Sequence, residues 1–208
     1  MKNRLALALF LFIAASLPVF AQNTPQFEVF GGATWIRADI SPDLSAFGVS
    51  HVNGFGWHAS ATENVNGWIG GTFDFSGAYS RPTLKNPLTG ATFSNGVNTS
   101  AYTFMCGPNF SYHRHHMIVP FARVLLGGAN ARANTTSKGT AALGSPLKFS
   151  DTRFALAAGG GADIVLTPRI ALRGTAEWIR STFDDFGDDR QNNLRVSAGI
   201  VFRFGENK

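Results

Sequence analysis

The stretch Asn193-Leu194-Arg195-Val196-Ser197-Ala198-Gly199-Ile200-Val201-Phe202-Arg203-Phe204 alternates in polarity from end to end. Leu194, Val196, Ala198, Ile200, Phe202 and Phe204 share one parity, while Arg195, Ser197, Gly199, Val201 and Arg203 share the other. Only extended backbone, with successive side chains on opposite faces, sorts such a segment into a greasy and a charged side. The same split recurs upstream. Ile170, Leu172, Gly174, Ala176 and Trp178 stand against Ala171, Arg173, Thr175, Glu177 and Ile179, and Ile69, Phe73, Phe75 and Tyr79 against Gly70, Thr72, Asp74 and Ser76.

Working outward from these three, eight segments of this kind are predicted: Phe27 to Arg37, Val52 to Thr62, Gly67 to Tyr79, Thr99 to Tyr112, Met117 to Asn130, Arg153 to Val165, Arg169 to Arg180 and Asn193 to Phe204. The fifth carries apolar residues on both faces around Arg123. Dyad-repeat segments of about ten residues, rich in glycine and aromatics, are what transmembrane barrel strands look like. Their connections alternate in length. Glu63 to Asn66, His113 to His116 and Leu166 to Pro168 are short; Asp39 to His51, Ser80 to Asn98, Ala131 to Thr152 and Ser181 to Asn192 are long. Short periplasmic turns and long external loops produce that alternation, and it puts both termini in the periplasm. Pro82, Pro87, Gly90, Gly96, Gly139, Gly144 and Pro146 mark the long connections as exposed loops.

A soluble sandwich would show the same polarity, and the position of the aromatics discriminates against it. Phe27, Phe110, Tyr112, Phe202 and Phe204 fall on the lipid parity at the periplasmic rim, and Trp35, Phe55, Trp57, Tyr79 and Trp178 at the external rim. Two such girdles are a membrane signature. Trp68 does not fit, because its parity turns it inward.

The 208-residue chain is 44% hydrophobic and 15% charged, with 23 Gly and 19 Phe, which fits one folded domain and excludes disorder or a coiled coil. Met1 to Ala21 has a basic start, an apolar run from Leu5 to Phe20 and the small-x-small sequence Val19-Phe20-Ala21. This is expected to be a cleaved signal peptide (1–21) ahead of the barrel domain (22–208). The lone Cys106 excludes a disulfide framework and reads as a buried or lipid-facing small residue. A formal charge of +5 leaves no footprint for a nucleic-acid partner.

Inward parity collects Glu28, Asp74, Asp163 and Glu177 with Arg123, Arg173, Arg195 and Arg203. Eight strands make an interior just wide enough to be filled by side chains, and buried charges must pair to offset desolvation. The expectation is a cylinder plugged by ion pairs, with Gly32, Gly54, Gly56, Gly70, Gly159, Gly161 and Gly199 leaving room for the guanidinium stems. The alternative is a narrow conductance gated by one of the pairs.

Ser197, Gly199, Phe202 and Phe204 stand in a polar-x-Gly-x-x-aromatic-x-aromatic pattern. It resembles the terminal signal by which the barrel assembly machinery recognises its clients, here followed by four further residues. Gly159-Gly160-Gly161-Ala162-Asp163 and Leu166 to Arg173 resemble the sixth-to-seventh strand hairpin of small OmpA-type outer-membrane barrels, and Phe121 to Gly128 adds to the likeness. The resemblance implies an all-β, eight-stranded antiparallel up-and-down transmembrane barrel in the cell outer membrane. Its implied partners are outer-membrane lipid, lipopolysaccharide and the assembly machinery, with external loops open to a surface ligand of unidentified kind. OmpA itself continues into a peptidoglycan-binding domain; no wall anchoring is expected here.

Some small barrels modify lipid A. A deacylase of this size needs His and Ser in its C-terminal part, and no histidine follows His116. An acyl-transferring barrel would draw on His51, Asp39 and Ser50, whose spacing carries no information. Omptin-type proteases use more strands. His113, His115 and His116 lie in a turn expected to be solvated, without a carboxylate to complete a metal site. Asp184, Asp185, Asp188 and Asp189 lack the ligand spacing of a calcium loop. His58 is expected to hydrogen-bond a neighbouring polar side chain. The reading is a structural or surface-contact protein with no enzymatic activity, cofactor or metal; a porin-like channel is the first rival and a lipid A-modifying enzyme the second.

Overall fold

Strand pairing satisfies every backbone polar group across a membrane only if the sheet closes on itself. In the computed structural model, which describes residues 24–39, 51–81, 84–85, 92–93, 97–113, 117–137, 146, 148–182 and 191–205, it does. The strands are β1 (Phe27–Asp39), β2 (His51–Asn64), β3 (Ile69–Ser80), β4 (Leu84–Lys85), β5 (Thr92–Phe93), β6 (Val97–Ser111), β7 (Ile118–Thr135), β8 (Lys148–Thr167), β9 (Ile170–Ser181) and β10 (Gln191–Phe204). Eight of them form a closed barrel in the order β1-β10-β9-β8-β7-β6-β3-β2. Neighbours run antiparallel, and the seam between first and last strands extends from Phe27 opposite Phe204 to Ala38 opposite Asn193.

The pleat sorts the side chains as the dyad pattern requires. Phe73, Phe75, Phe104, Leu126, Ile164, Leu172, Val196 and Ile200 are all exposed on the outer wall, an apolar belt suited to lipid rather than water. Phe27, Phe110, Phe202 and Phe204 sit exposed at one rim and Phe55, Trp57, Tyr79 and Trp178 at the other. Apolar residues on both faces of β7 also find their reason. Leu125 packs inward with Met105, Ala129, Ala155, Ala157 and Ile179 as an apolar layer inside the barrel, while Val124 and Leu126 face out.

Three expectations change. Trp68 is not turned inward: it lies in the turn before β3 and stacks on Phe110 at 6.2 Å, joining the periplasmic girdle. Parity fails there because Gly67 and Trp68 precede the strand; Asn66 Oδ1 accepts hydrogen bonds from the amides of Trp68 and Ile69 and turns the chain. The long connections are narrower than expected. β7 and β8 continue beyond Asn130 and Arg153 until Asn134 faces Lys148, a polar extension without apolar periodicity to announce it. Inside the second long connection β4 and β5 pair as a two-residue ladder, too short for any period to show. Pro82, Pro87, Gly90, Gly96, Gly139, Gly144, His115, His116 and the four loop aspartates fall outside the described residues, as does the signal segment.

Cys106 is exposed on the lipid face between Phe73 of β3 and Leu126 of β7. In vesicles, lipid is expected to shield it from a membrane-impermeant maleimide, so mass spectrometry should find no adduct until urea unfolds the barrel. Full labelling in intact vesicles would place this wall in water.

Candidate functional site: the ion-paired lumen

The inward parity of eight strands aims charges from distant parts of the sequence at one axis. Nearest the periplasm, Arg173 of β9 donates from Nε and Nη2 to Asp163 of β8 at 2.7 and 2.8 Å, and from Nη2 to Glu28 of β1 at 2.5 Å. Arg203 of β10 completes the ring, with Nη2 3.0 Å from Asp163 and Nε 3.6 Å from Glu28. Two acids and two arginines alternate, each cation touching both anions. The Arg173 guanidinium lies over the Phe121 ring at 4.6 Å and the Phe30 ring at 5.9 Å, where cation–π attraction adds to the pairing.

A second ring lies toward the outside. Arg195 of β10 reaches across the lumen to Asp74 of β3 at 2.9 Å and pairs with Glu177 of β9 at 2.7 Å. Arg123 of β7 pairs with the same two acids, at 3.0 Å to Asp74 and 2.5 Å to Glu177. Arg195 Nη1 also donates to Ser76 Oγ at 2.9 Å and Thr103 Oγ1 at 3.3 Å. Asp74 and Arg195 are 0% exposed and Arg123 2%. Burial at this level demands pairing, and the alternating ring gives each of its arginines both acids with zero net charge. Above it sits the apolar layer around Leu125 and Met105.

His58, expected to face inward and hydrogen-bond a neighbouring polar side chain, is tied into the outer ring. Its Nε2 lies 2.7 Å from Asp74 Oδ2 and its Nδ1 2.9 Å from Ser197 Oγ. A Ser, a His and an Asp therefore touch in series, the residue types of a hydrolytic relay. All three are buried, Ser197 Oγ is also 2.9 Å from Thr34 Oγ1, and Arg123 Nη2 stands 3.4 Å from His58 Nε2, beside its contact with Asp74. His58, Asp74 and Glu177 bring donor atoms within 4.8 Å of one another, but two guanidinium groups already fill that space with positive charge, which opposes a metal ion. His51 begins β2, exposed, and Asp39 pairs opposite it at the strand ends.

His113 corrects the expectation of a solvated turn with no carboxylate near. Its Nδ1 is 3.1 Å from the Gly67 carbonyl oxygen and its Nε2 4.0 Å from Glu28, so the first residue of that turn tucks under the periplasmic ring. Sequence spacing could not show this, because Glu28 is three strands away around the wall. Of the terminal-strand pattern, Ser197 and Gly199 face inward at the seam, and Phe202 and Phe204 face outward at the rim.

Similar architectures are known. Neisserial surface protein A aligns over 86% of this chain and 97% of its own at 15% identity, with a TM-score of 0.61. The outer membrane protein OprG of Pseudomonas aeruginosa aligns over 88% and 98% at 12% identity, TM-score 0.60, and the attachment invasion locus protein Ail of Yersinia pestis over 86% and 99% at 18% identity, TM-score 0.51. At these identities the likeness concerns the fold. Among curated proteins no sequence matches significantly. The sequence profile described as outer membrane protein beta-barrel domain, however, matches residues 5–202, nearly the whole chain. The chain belongs to that outer-membrane β-barrel family, and its place is the cell outer membrane.

Proposed function

We propose that the protein is a closed, non-enzymatic outer-membrane barrel that contributes to membrane integrity and presents its external loops for surface contact. One observation carries this reading: two alternating rings of buried arginine and carboxylate are bonded across the lumen and fill the middle of the barrel with paired side chains. Loops on such a rigid scaffold can vary without cost to the fold. Ail, one of the similar structures, has been solved with the heparin analogue sucrose octasulfate, an example of a surface ligand on this architecture. Export through a signal peptide ending at Ala21 and recognition of Ser197, Gly199, Phe202 and Phe204 by the assembly machinery complete the proposal, with outer-membrane lipid and lipopolysaccharide as surroundings.

The wild-type barrel refolded into a planar bilayer is expected to be silent at moderate voltage. Replacing both cross-lumen arginines, Arg173→Ala with Arg195→Ala, is expected to introduce discrete openings if the variant still migrates as a folded, heat-modifiable barrel. Regular openings in the wild type would overturn the closed reading and favour a small channel.

A further inference from the structure

The outer end of β8 stands above the rim with one edge open. β9 stops at Ser181, opposite Ala155, and the last bond across that seam among the described residues runs from the Thr182 amide to the Phe154 carbonyl at 3.1 Å. β8 itself begins well before this point, at Lys148, held on its other side by β7 as far as Asn134. Phe154 is exposed on the outer wall and belongs to the aromatic level that marks the edge of the hydrocarbon. Beyond it the same parity carries Thr152, Ser150 and Lys148, all exposed. A strand whose outward face turns from phenylalanine to hydroxyls and an ammonium has left lipid for water.

Strand geometry tells which main-chain groups are open. In an antiparallel pair the N–H and C=O of one residue point to the same neighbour, and the side alternates along the strand. The Phe154 carbonyl points toward β9, and the Asp151 carbonyl toward β7, where it accepts from Asn130 Nδ2 at 3.1 Å. Lys148, Ser150 and Thr152 therefore aim their main-chain groups at the open side. The Thr152 amide is closed by a neighbour: it donates to Asp151 Oδ1 at 2.8 Å, while Asp151 Oδ2 lies 2.8 Å from Arg153 Nε. Ser150 and Lys148 have no strand partner on that side among the described residues. The charge there is positive. Arg153 already holds Asp151, and Lys148 has no carboxylate within ion-pair distance among the described residues.

We propose that this edge takes an extended segment of an extracellular protein as an added antiparallel strand, with acidic side chains on its outward face set against Lys148. Main-chain bonds to Ser150 and Lys148 supply the affinity and the charge supplies the selectivity, the division of labour of strand addition. Lysine on an edge ordinarily keeps other strands away; a strand with carboxylates at the matching positions is the one it admits. A second copy of the chain does not fit. Two barrels in one membrane send their β8 strands down in the same sense, so the two edges cannot meet antiparallel and Lys148 would face Lys148. The proposal rests on the surface-contact reading and names its mode and its partner.

Amide hydrogen exchange of the barrel in lipid nanodiscs, read residue by residue by NMR, tests it with a capped peptide of alternating threonine and glutamate as the probe. The Ser150 and Lys148 amides are expected to exchange roughly five-fold more slowly with the peptide, as ladder bonds protect amides, while the Asp151 amide, directed at β7, does not change. The same peptide N-methylated along its bonding face, or one of alternating threonine and lysine, is expected to leave both amides as they were. Ser150→Pro removes an amide that faces only the open edge, where proline is tolerated, so this variant is expected to keep its heat-modifiable mobility and to lose the slowing at Lys148. Asp151→Ala uncovers the Thr152 amide and is expected to extend the protection to it. No slowing with the glutamate peptide, equal slowing with the lysine peptide, or slowing that survives N-methylation would each overturn the proposal. Conductance of the wild-type barrel would overturn the closed lumen without altering any of these results, and unprotected edge amides would overturn the added strand while the barrel stayed silent, so the two readings fail separately.

Discussion

Asp74→Ala is expected to destabilise the folded barrel by about 3–5 kcal/mol, the usual range when one partner of a buried ion pair is deleted. Asp74 is the hinge of the outer ring: it accepts from Arg195 and Arg123 and also contacts His58. Without it, two guanidinium groups at 0% and 2% exposure share Glu177 alone, and one positive charge is left uncompensated within the bilayer. Equilibrium urea unfolding in lipid vesicles reads the difference. The sharper test is the companion double variant, Asp74→Ala with Arg195→Ala, which removes one charge of each sign and leaves Arg123 paired with Glu177. It is expected to cost less than either single substitution, a coupling that a double-mutant cycle measures directly. Additive losses would mean that water already enters the middle of the barrel and screens the ring.

Gly199→Val is expected to prevent stable closure, with a loss above about 3 kcal/mol, the upper end of the range for overpacking a dense interior. Gly199 faces Gly32 across the β1–β10 seam. A Cβ built on Gly199 would lie 2.2 Å from the Gly31 carbonyl oxygen and 2.5 Å from the Gly32 Cα, and one on Gly32 would lie 2.3 Å from the Ala198 oxygen. Backbone, not a flexible side chain, is what blocks the space, so neither strand can yield without opening the seam. Gly31 supplies the control. It is next in sequence but faces lipid, with nothing within 4 Å of a built Cβ, and Gly31→Val is expected to fold and to keep the heat-modifiable gel mobility that Gly199→Val loses. Equal behaviour of the two would show that the seam tolerates a wider inner face than the geometry allows.

The same residues show how far the sequence could be read. Inward parity picked out Glu28, Asp74, Asp163, Glu177 and the four arginines, because a strand's period of two is local and survives in any register. The apolar layer around Leu125 was hidden for the opposite reason: when both faces of β7 are greasy, one toward lipid and one toward the lumen, alternation vanishes. Trp68 was misplaced because a period carries no information once the chain leaves the strand. The polar extensions of β7 and β8 had no hydrophobic face to be counted, and β4 and β5 were shorter than any pattern.

What the amino-acid order determined by itself was the number of spanning segments, their antiparallel succession, and which side chains meet lipid. Each follows from local alternation and from the girdles and turns that bound it. Who pairs with whom inside was decided only by tertiary structure. Asp74 and Arg195 are 121 residues apart on strands that are not neighbours in the barrel, as are Arg173 and Glu28 at 145. The tilt and stagger that close eight strands set the height of every inward residue. Those heights, and not parity, sort eight charges into two neutral rings, bring His58 against Ser197, and tuck His113 beneath Glu28.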